Sequence, residues 1–150
     1  MMSVKTEDTL AFIMTEKVIT VSTKEKVSKA LAIMAKNDIG SLVVLDKGQP
    51  VGILTERDII RRLVKDWKIR DVPVDDLMSH PLITAEPETP SWEAFRIMLK
   101  KRIRRLPVVD GRKLVGIVTE RDLFRWVLLV AYESQLPEDI KEIVEKGYPR

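Results

Sequence analysis

Sliding the chain against itself by 64 residues lays Met14–Ile60 over Met78–Phe124 without a gap, and 18 of the 47 pairs are identical. The densest block reads Val51-Gly52-Ile53, one substitution, then Thr55-Glu56-Arg57-Asp58; it returns as Val115 to Asp122. A gapless self-match of that length marks a tandem duplication. The 150 residues must therefore build one unit twice. A unit of roughly 50 residues is marginal as an independent domain, so the two copies are expected to bury a shared face.

Each copy carries the same pattern. A short strand is predicted around Val18–Val21 and around Leu82–Ala85. A helix follows, with Val27, Ala30, Leu31 and Met34 on its apolar face at spacings i, i+3, i+4, i+7. In the second copy the helix is expected to open with Thr89 as N-cap and Pro90 as first helical residue. Two apolar runs come next, Leu42–Leu45 and Val51–Leu54, joined by Asp46-Lys47-Gly48-Gln49; their mates are Leu106–Val109 and Leu114–Val118, joined by Asp110-Gly111. Such turns between apolar runs read as hairpins. A second helix begins at Glu56 and at Glu120. The unit is β-α-β-β-α. The expected division is repeat 1 over 10–65, a linker over 66–76, repeat 2 over 77–130 and a helical tail over 131–150, the tail helix opened by Pro137 and closed by Gly147.

Composition excludes several classes. There is no cysteine, hence no disulfide framework and no thiolate chemistry. The longest apolar run, Trp126 to Tyr132, is too short to span a bilayer, and the N-terminus lacks the apolar stretch of a secretory signal. The expectation is a cytoplasmic protein. Lys and Arg number 26 against 23 Asp and Glu, a net charge of +3 that argues only weakly for nucleic acid. Side-chain amides occur only at Asn37, Gln49 and Gln135 beside dense opposite charges, a composition of heat-adapted type.

The repeated block has two uses. Thr-x-x-Asp directly after an apolar strand caps a helix: the hydroxyl accepts from a free amide, and the acid sits where the helix dipole favours an anion. The same place can bind phosphate on free amides and hold the two hydroxyls of a ribose on a carboxylate. Gly52 and Gly116 allow close approach of a ligand or of neighbouring chain. Capping alone does not require Gly-Ile-x-Thr-Glu-Arg-Asp to match so closely in both copies, which favours a nucleotide. The run Lys100-Lys101-Arg102-Ile103-Arg104-Arg105 is the second signal. Helix-end charge and solubility explain part of it. Arg104 and Arg105, however, enter the strand at the positions of Gly40 and Ser41 in the first copy, so the copies differ in charge at equivalent places. Guanidinium groups suit bidentate phosphate contacts.

Two such copies, each ending in hydrophobic-Gly-hydrophobic-x-Thr-x-x-Asp, resemble a pair of CBS domains, the Bateman module, over roughly Leu10–Val130. Ile103-Arg104-Arg105-Leu106-Pro107-Val108-Val109-Asp110 resembles the family's second signature. The resemblance implies an α/β fold: two repeats packed with pseudo-two-fold symmetry, with small mixed sheets flanked by helices. It implies a stand-alone, non-catalytic sensor of adenosine ligands (AMP, ADP, ATP or S-adenosylmethionine) bound in two clefts between the repeats, with no obligatory cofactor. By that resemblance Asp58 and Asp122 hold ribose, and Thr55 and Thr119 contact phosphate or ribose. Arg104, Arg105 and Arg121 serve the Asp58 cleft; Arg57, Gly40 and Ser41 serve the Asp122 cleft. Ile19, Thr20, Ile39 and their mates Ile83, Thr84, Ile103 flank adenine, although core packing accounts for the apolar ones as well, and Pro107 is a further ligand-binding residue. The Asp58 cleft is expected to be the tighter phosphate site.

Catalysis has little support. His80 stands alone in Ser79-His80-Pro81, a turn by default, and there is no P-loop or triad. Nucleic-acid binding is the alternative, resting on Lys100–Arg105 and on Arg61, Arg62, Lys65, Lys68 and Arg70, but aromatics for stacking are few. A purely structural dimerisation module is the third. The apolar helix around Trp126–Tyr132 exceeds what one core needs and points to a homodimer, with a regulated protein partner that the sequence does not identify.

Overall fold

The computed structural model describes residues 8–132, 137–139 and 142. Within them the duplication is visible element by element. Repeat 1 gives β1 (Thr20–Ser22), α2 (Val27–Asn37), β2 (Ser41–Asp46), β3 (Gln49–Thr55) and α3 (Glu56–Lys65), preceded by a single helical turn, α1 (Leu10–Ile13). Repeat 2 gives α4 (Ser91–Lys101), β4 (Arg105–Asp110), β5 (Lys113–Thr119) and α5 (Glu120–Tyr132). The expected tail helix lies almost wholly outside the described residues.

Both hairpins form where the turn residues place them. Lys47 and Gly48 both take positive φ, and Gly111 does so in the second hairpin, whose turn is Gly111-Arg112 rather than Asp110-Gly111. Each carries a register shift at the same place, between Val44 and Leu45 and between Val108 and Val109.

Three expectations are corrected. The strand predicted at Leu82–Ala85 shrinks to one bridge, Ala85 to Val108. In repeat 1, β1 runs parallel to β2, and the ladder is extended by Thr23 N–H donating to Leu45 O at 3.0 Å. The residue equivalent to Thr23 is Pro87, and Val43 on the facing strand is replaced by Pro107; neither has an N–H to give. Ala85 keeps the two bonds that remain, to Pro107 O and from Val109 N–H. Helix α4 starts one residue later than expected. Pro90 is its N-cap in extended conformation, and the Thr89 hydroxyl accepts instead from Glu86 N–H at 3.0 Å, closing the preceding turn. On α2, Val27, Ala30 and Met34 are buried but Leu31 is exposed.

The two cores do not follow chain order. The first gathers Val27, Leu42, Val44, Leu54 and Ile59 of repeat 1 around Ile69, Val74 and Leu77, which come after it in the chain. The second gathers Ala94, Leu106, Val108, Val118 and Leu123 around Leu10, with Ile13 and Met14 packed alongside. Leu10 and Val74 are 64 residues apart and both fully buried. Each repeat's leading arm thus crosses to the partner repeat. Backbone bonds seal both crossings in the same pattern: Leu10 N–H to Thr89 O and Val74 N–H to Glu25 O, then reciprocal pairs between Thr15 and Ile117 and between Ser79 and Ile53.

Candidate functional site

The crossing explains the repeated glycine. A Cβ on Gly52 would lie 2.6 Å from Met78 Sδ and 2.9 Å from Ser79 O; one on Gly116 would lie 2.5 Å from Met14 Sδ. Of the two uses open to these glycines, neighbouring chain is the one they meet. The arms they admit bring Ser79 to the start of α3 and Thr15 against Ile117 of β5.

At the start of α3, Thr55 and Asp58 form a reciprocal capping box. Asp58 Oδ2 accepts from Thr55 N–H and Oγ1–H, both at 2.9 Å, while Asp58 N–H donates to Thr55 Oγ1 at 3.3 Å. Thr119 and Asp122 repeat this at 2.8, 3.0 and 3.2 Å. Capping therefore occupies only one oxygen of each carboxylate. The other differs between the copies. Asp58 Oδ1 accepts from the Ser79 hydroxyl at 3.1 Å, a contact that a ligand hydroxyl could replace. Asp122 Oδ1 faces Arg125 Nη1 at 3.9 Å, one turn along its own helix.

Beside Asp58 opens a cleft of about 620 Å³, within the size range of small-molecule sites. One wall is the end of β3 and the first turn of α3, with Thr55, Arg57 and Asp58. The other comes from repeat 2: Ser79, Pro81, Leu82 and Ile83 on the crossing arm, then Arg102 to Arg105 and Pro107 at the entry to β4. Gly40 sits where the walls meet; a Cβ there would lie 3.0 Å from Arg105 Nη2 and 3.0 Å from Glu56 Cδ. The run Lys100–Arg105 is thus divided. Lys100 and Lys101 end α4, whereas Arg102, Arg104 and Arg105 line the cleft.

Thr55, Asp58, Arg104, Arg105, Ile83, Ile103 and Pro107 line this one cleft together. Arg57 and Gly40 line this cleft, whereas the resemblance assigned them to the Asp122 cleft; Arg57 belongs to the helix start that carries Asp58. Arg121 is not among the lining residues; it stands at the start of α5, beside Asp122. Ile19 and Ile39 pack on the first core, Ser41 pairs with Thr55 across the hairpin, and Thr84 stays half-buried outside the cleft. Thr20 lines a separate open groove that shares no residue with the cleft. Arg61 and Arg102 also line the cleft, whereas in the sequence they stand out only within the basic runs that support the nucleic-acid alternative. Arg61 is one turn beyond Arg57, and Arg102 is the left-handed C-cap of α4 (φ 55°). Among the described residues no group of three or more His, Asp or Glu could hold a metal ion, and no helix is long and apolar enough to cross a membrane.

Fold and site define a duplicated β-α-β-β-α pair with a ligand-sized cleft between its halves. The CBS domain family matches residues 7–65 and 74–129, and the chain belongs to it. It is similar to an uncharacterized protein of Methanocaldococcus jannaschii, 34% identical over 89% of this chain and 37% of the relative. A Methanopyrus kandleri relative is 42% identical over 72% of this chain and 57% of its own length, so the chain spans about a third to a half of these relatives. Among solved structures it is similar to CBSX2 in complex with AMP: 27% identity, TM-score 0.69, covering 81% of this chain and 97% of that one. It is also similar to the CBS domain pair of MJ0100 in complex with 5-methylthioadenosine and S-adenosyl-L-methionine: 31% identity, TM-score 0.70, covering 78% and 93%.

Proposed function

We propose that this protein is a regulatory, non-catalytic module that binds an adenine nucleotide in the cleft beside Asp58. The observation that carries the reading is the capped carboxylate. Asp58 holds its helix with Oδ2 and turns Oδ1 to the opposite wall, where only a hydroxyl occupies it. Ribose offers two hydroxyls to such an acceptor. Ile83, Ile103 and Pro107 supply an apolar seat for the base, and the arginines lie where phosphates would extend. The AMP and S-adenosylmethionine complexes of similar proteins support the class of ligand.

Binding across both walls favours one relative orientation of the repeats, and a protein partner that distinguishes orientations would respond to the ligand. We also assign the chain a homodimeric state. Phe95 and Leu99 on α4 and Phe124, Val127 and Val130 on α5 are exposed apolar side chains on neighbouring helices. The Asp58 cleft is the tighter site of the two. Calorimetric titration of AMP into the wild type, Asp58→Ala and Asp122→Ala tests this: the Asp58 variant loses most of the binding, and equal losses contradict the ranking.

A further inference from the structure

The charge around the cleft says more than the ribose contact does. Five arginines line it, Arg57, Arg61, Arg102, Arg104 and Arg105, against two acidic residues, Glu56 and Asp58. That leaves three positive charges in excess. The excess is not a by-product of the fold. At the positions 64 residues away stand Arg121, Arg125, Asp38, Gly40 and Ser41, so the duplicated framework is satisfied with three of the five cations absent. Arg102 is informative in a second way. It holds φ 55° at the C-cap of α4, a region unfavourable for a residue with a Cβ, where its mate Asp38 is a type that tolerates it. Glycine would fit the position better.

Like charges crowded in one cleft repel one another and attract an anion that can separate them. Arg104 is partly engaged, 3.8 Å from Glu120, in an exposed pair that a phosphate could displace. AMP brings one phosphoryl group to this excess, whereas ADP and ATP bring two and three, with more negative charge to balance it. A sulfonium nucleoside brings a positive charge into a positive cleft.

Resting on the adenosine reading of the Asp58 cleft, we infer that the cleft selects its ligand by charge: it takes a nucleoside di- or triphosphate and rejects a cationic sulfonium nucleoside. Arg61 and Arg102 are the residues that extend phosphate recognition beyond the first phosphoryl group.

The test is a calorimetric series on the full chain with adenosine, AMP, ADP, ATP and S-adenosylmethionine, at low and high potassium chloride. Affinity is expected to rise about tenfold or more from AMP to ADP, because each charge-assisted contact is worth on that order. The rise shrinks at high salt, and S-adenosylmethionine binds at least a hundredfold more weakly than ADP. Arg102→Gly lowers the ratio of ADP to AMP affinity about tenfold without lowering Tm, which separates lost recognition from lost folding. AMP binding as tightly as ADP, S-adenosylmethionine within threefold of ADP, or an unchanged ratio in Arg102→Gly would each overturn charge selection while leaving an adenosine site. No adenosine compound binding, or the whole series persisting in Asp58→Asn, removes the adenosine reading and this inference with it.

Discussion

Asp58 caps its helix with one oxygen and, on the proposed reading, receives the ligand with the other; the two roles can be separated. Thr55→Ala removes the hydroxyl that accepts from the first turn and should cost about 1 kcal/mol in urea denaturation, the ordinary worth of an N-cap. Asp58→Asn keeps one acceptor for the cap but replaces the other with a donor, so stability changes little while AMP affinity falls at least tenfold by calorimetry. Equal losses of stability and affinity would mean the carboxylate serves its helix alone. The glycines behave differently. Gly52→Ala drives a methyl group against Met78 and Ser79 and should destabilise by about 1–3 kcal/mol, with Met78→Ala in the same chain restoring part of it. The Thr-x-x-Asp caps were legible because capping is local. The glycine's reason was not, since the sulfur it admits is 26 residues away in the chain. Arg102→Gly should raise stability by about 0.5–1 kcal/mol, through relief of a left-handed arginine offset by a more flexible unfolded chain.

Among elements, helices and hairpins followed their local signals, and the failures trace to particular groups. The strand before α4 has the apolar residues of its counterpart, Leu82 and Ile83, yet does not form, because a ladder depends on donors in the facing strand and at its own end. Pattern shows side chains; it does not show which N–H groups a distant strand will ask for. Pro87→Thr, which copies Thr23, should add an amide that donates to Val109 O and exchanges slowly with deuterium. Rapid exchange at that amide would show that Pro107 alone limits the strand.

For the molecule as a whole, the duplication was fully legible and the crossing of its arms was not. Nothing in the sequence near Leu10 says that it packs under Leu106 and Leu123 rather than beside its own repeat. The crossing has a thermodynamic consequence. Leu10→Ala, near the chain start, should cost about 2–5 kcal/mol and lower the midpoint of a single cooperative transition, as Val74→Ala should to a lesser degree. Two separate transitions by calorimetry would contradict interlocked cores. The exposed helices α4 and α5 lead to a further expectation: light scattering at micromolar concentration gives twice the chain mass, and Phe124→Glu shifts it to the monomer.

The central claim is that a carboxylate which ties off its own helix also receives a ribose from the facing wall. A crystal structure of the protein soaked with ADP tests it most directly. Nucleotide density is expected between the repeats, with ribose hydroxyls within hydrogen-bonding distance of Asp58 Oδ1 and the Ser79 hydroxyl turned away. Density elsewhere, or a cleft in which Ser79 keeps its bond to Asp58 at saturating nucleotide, would contradict it.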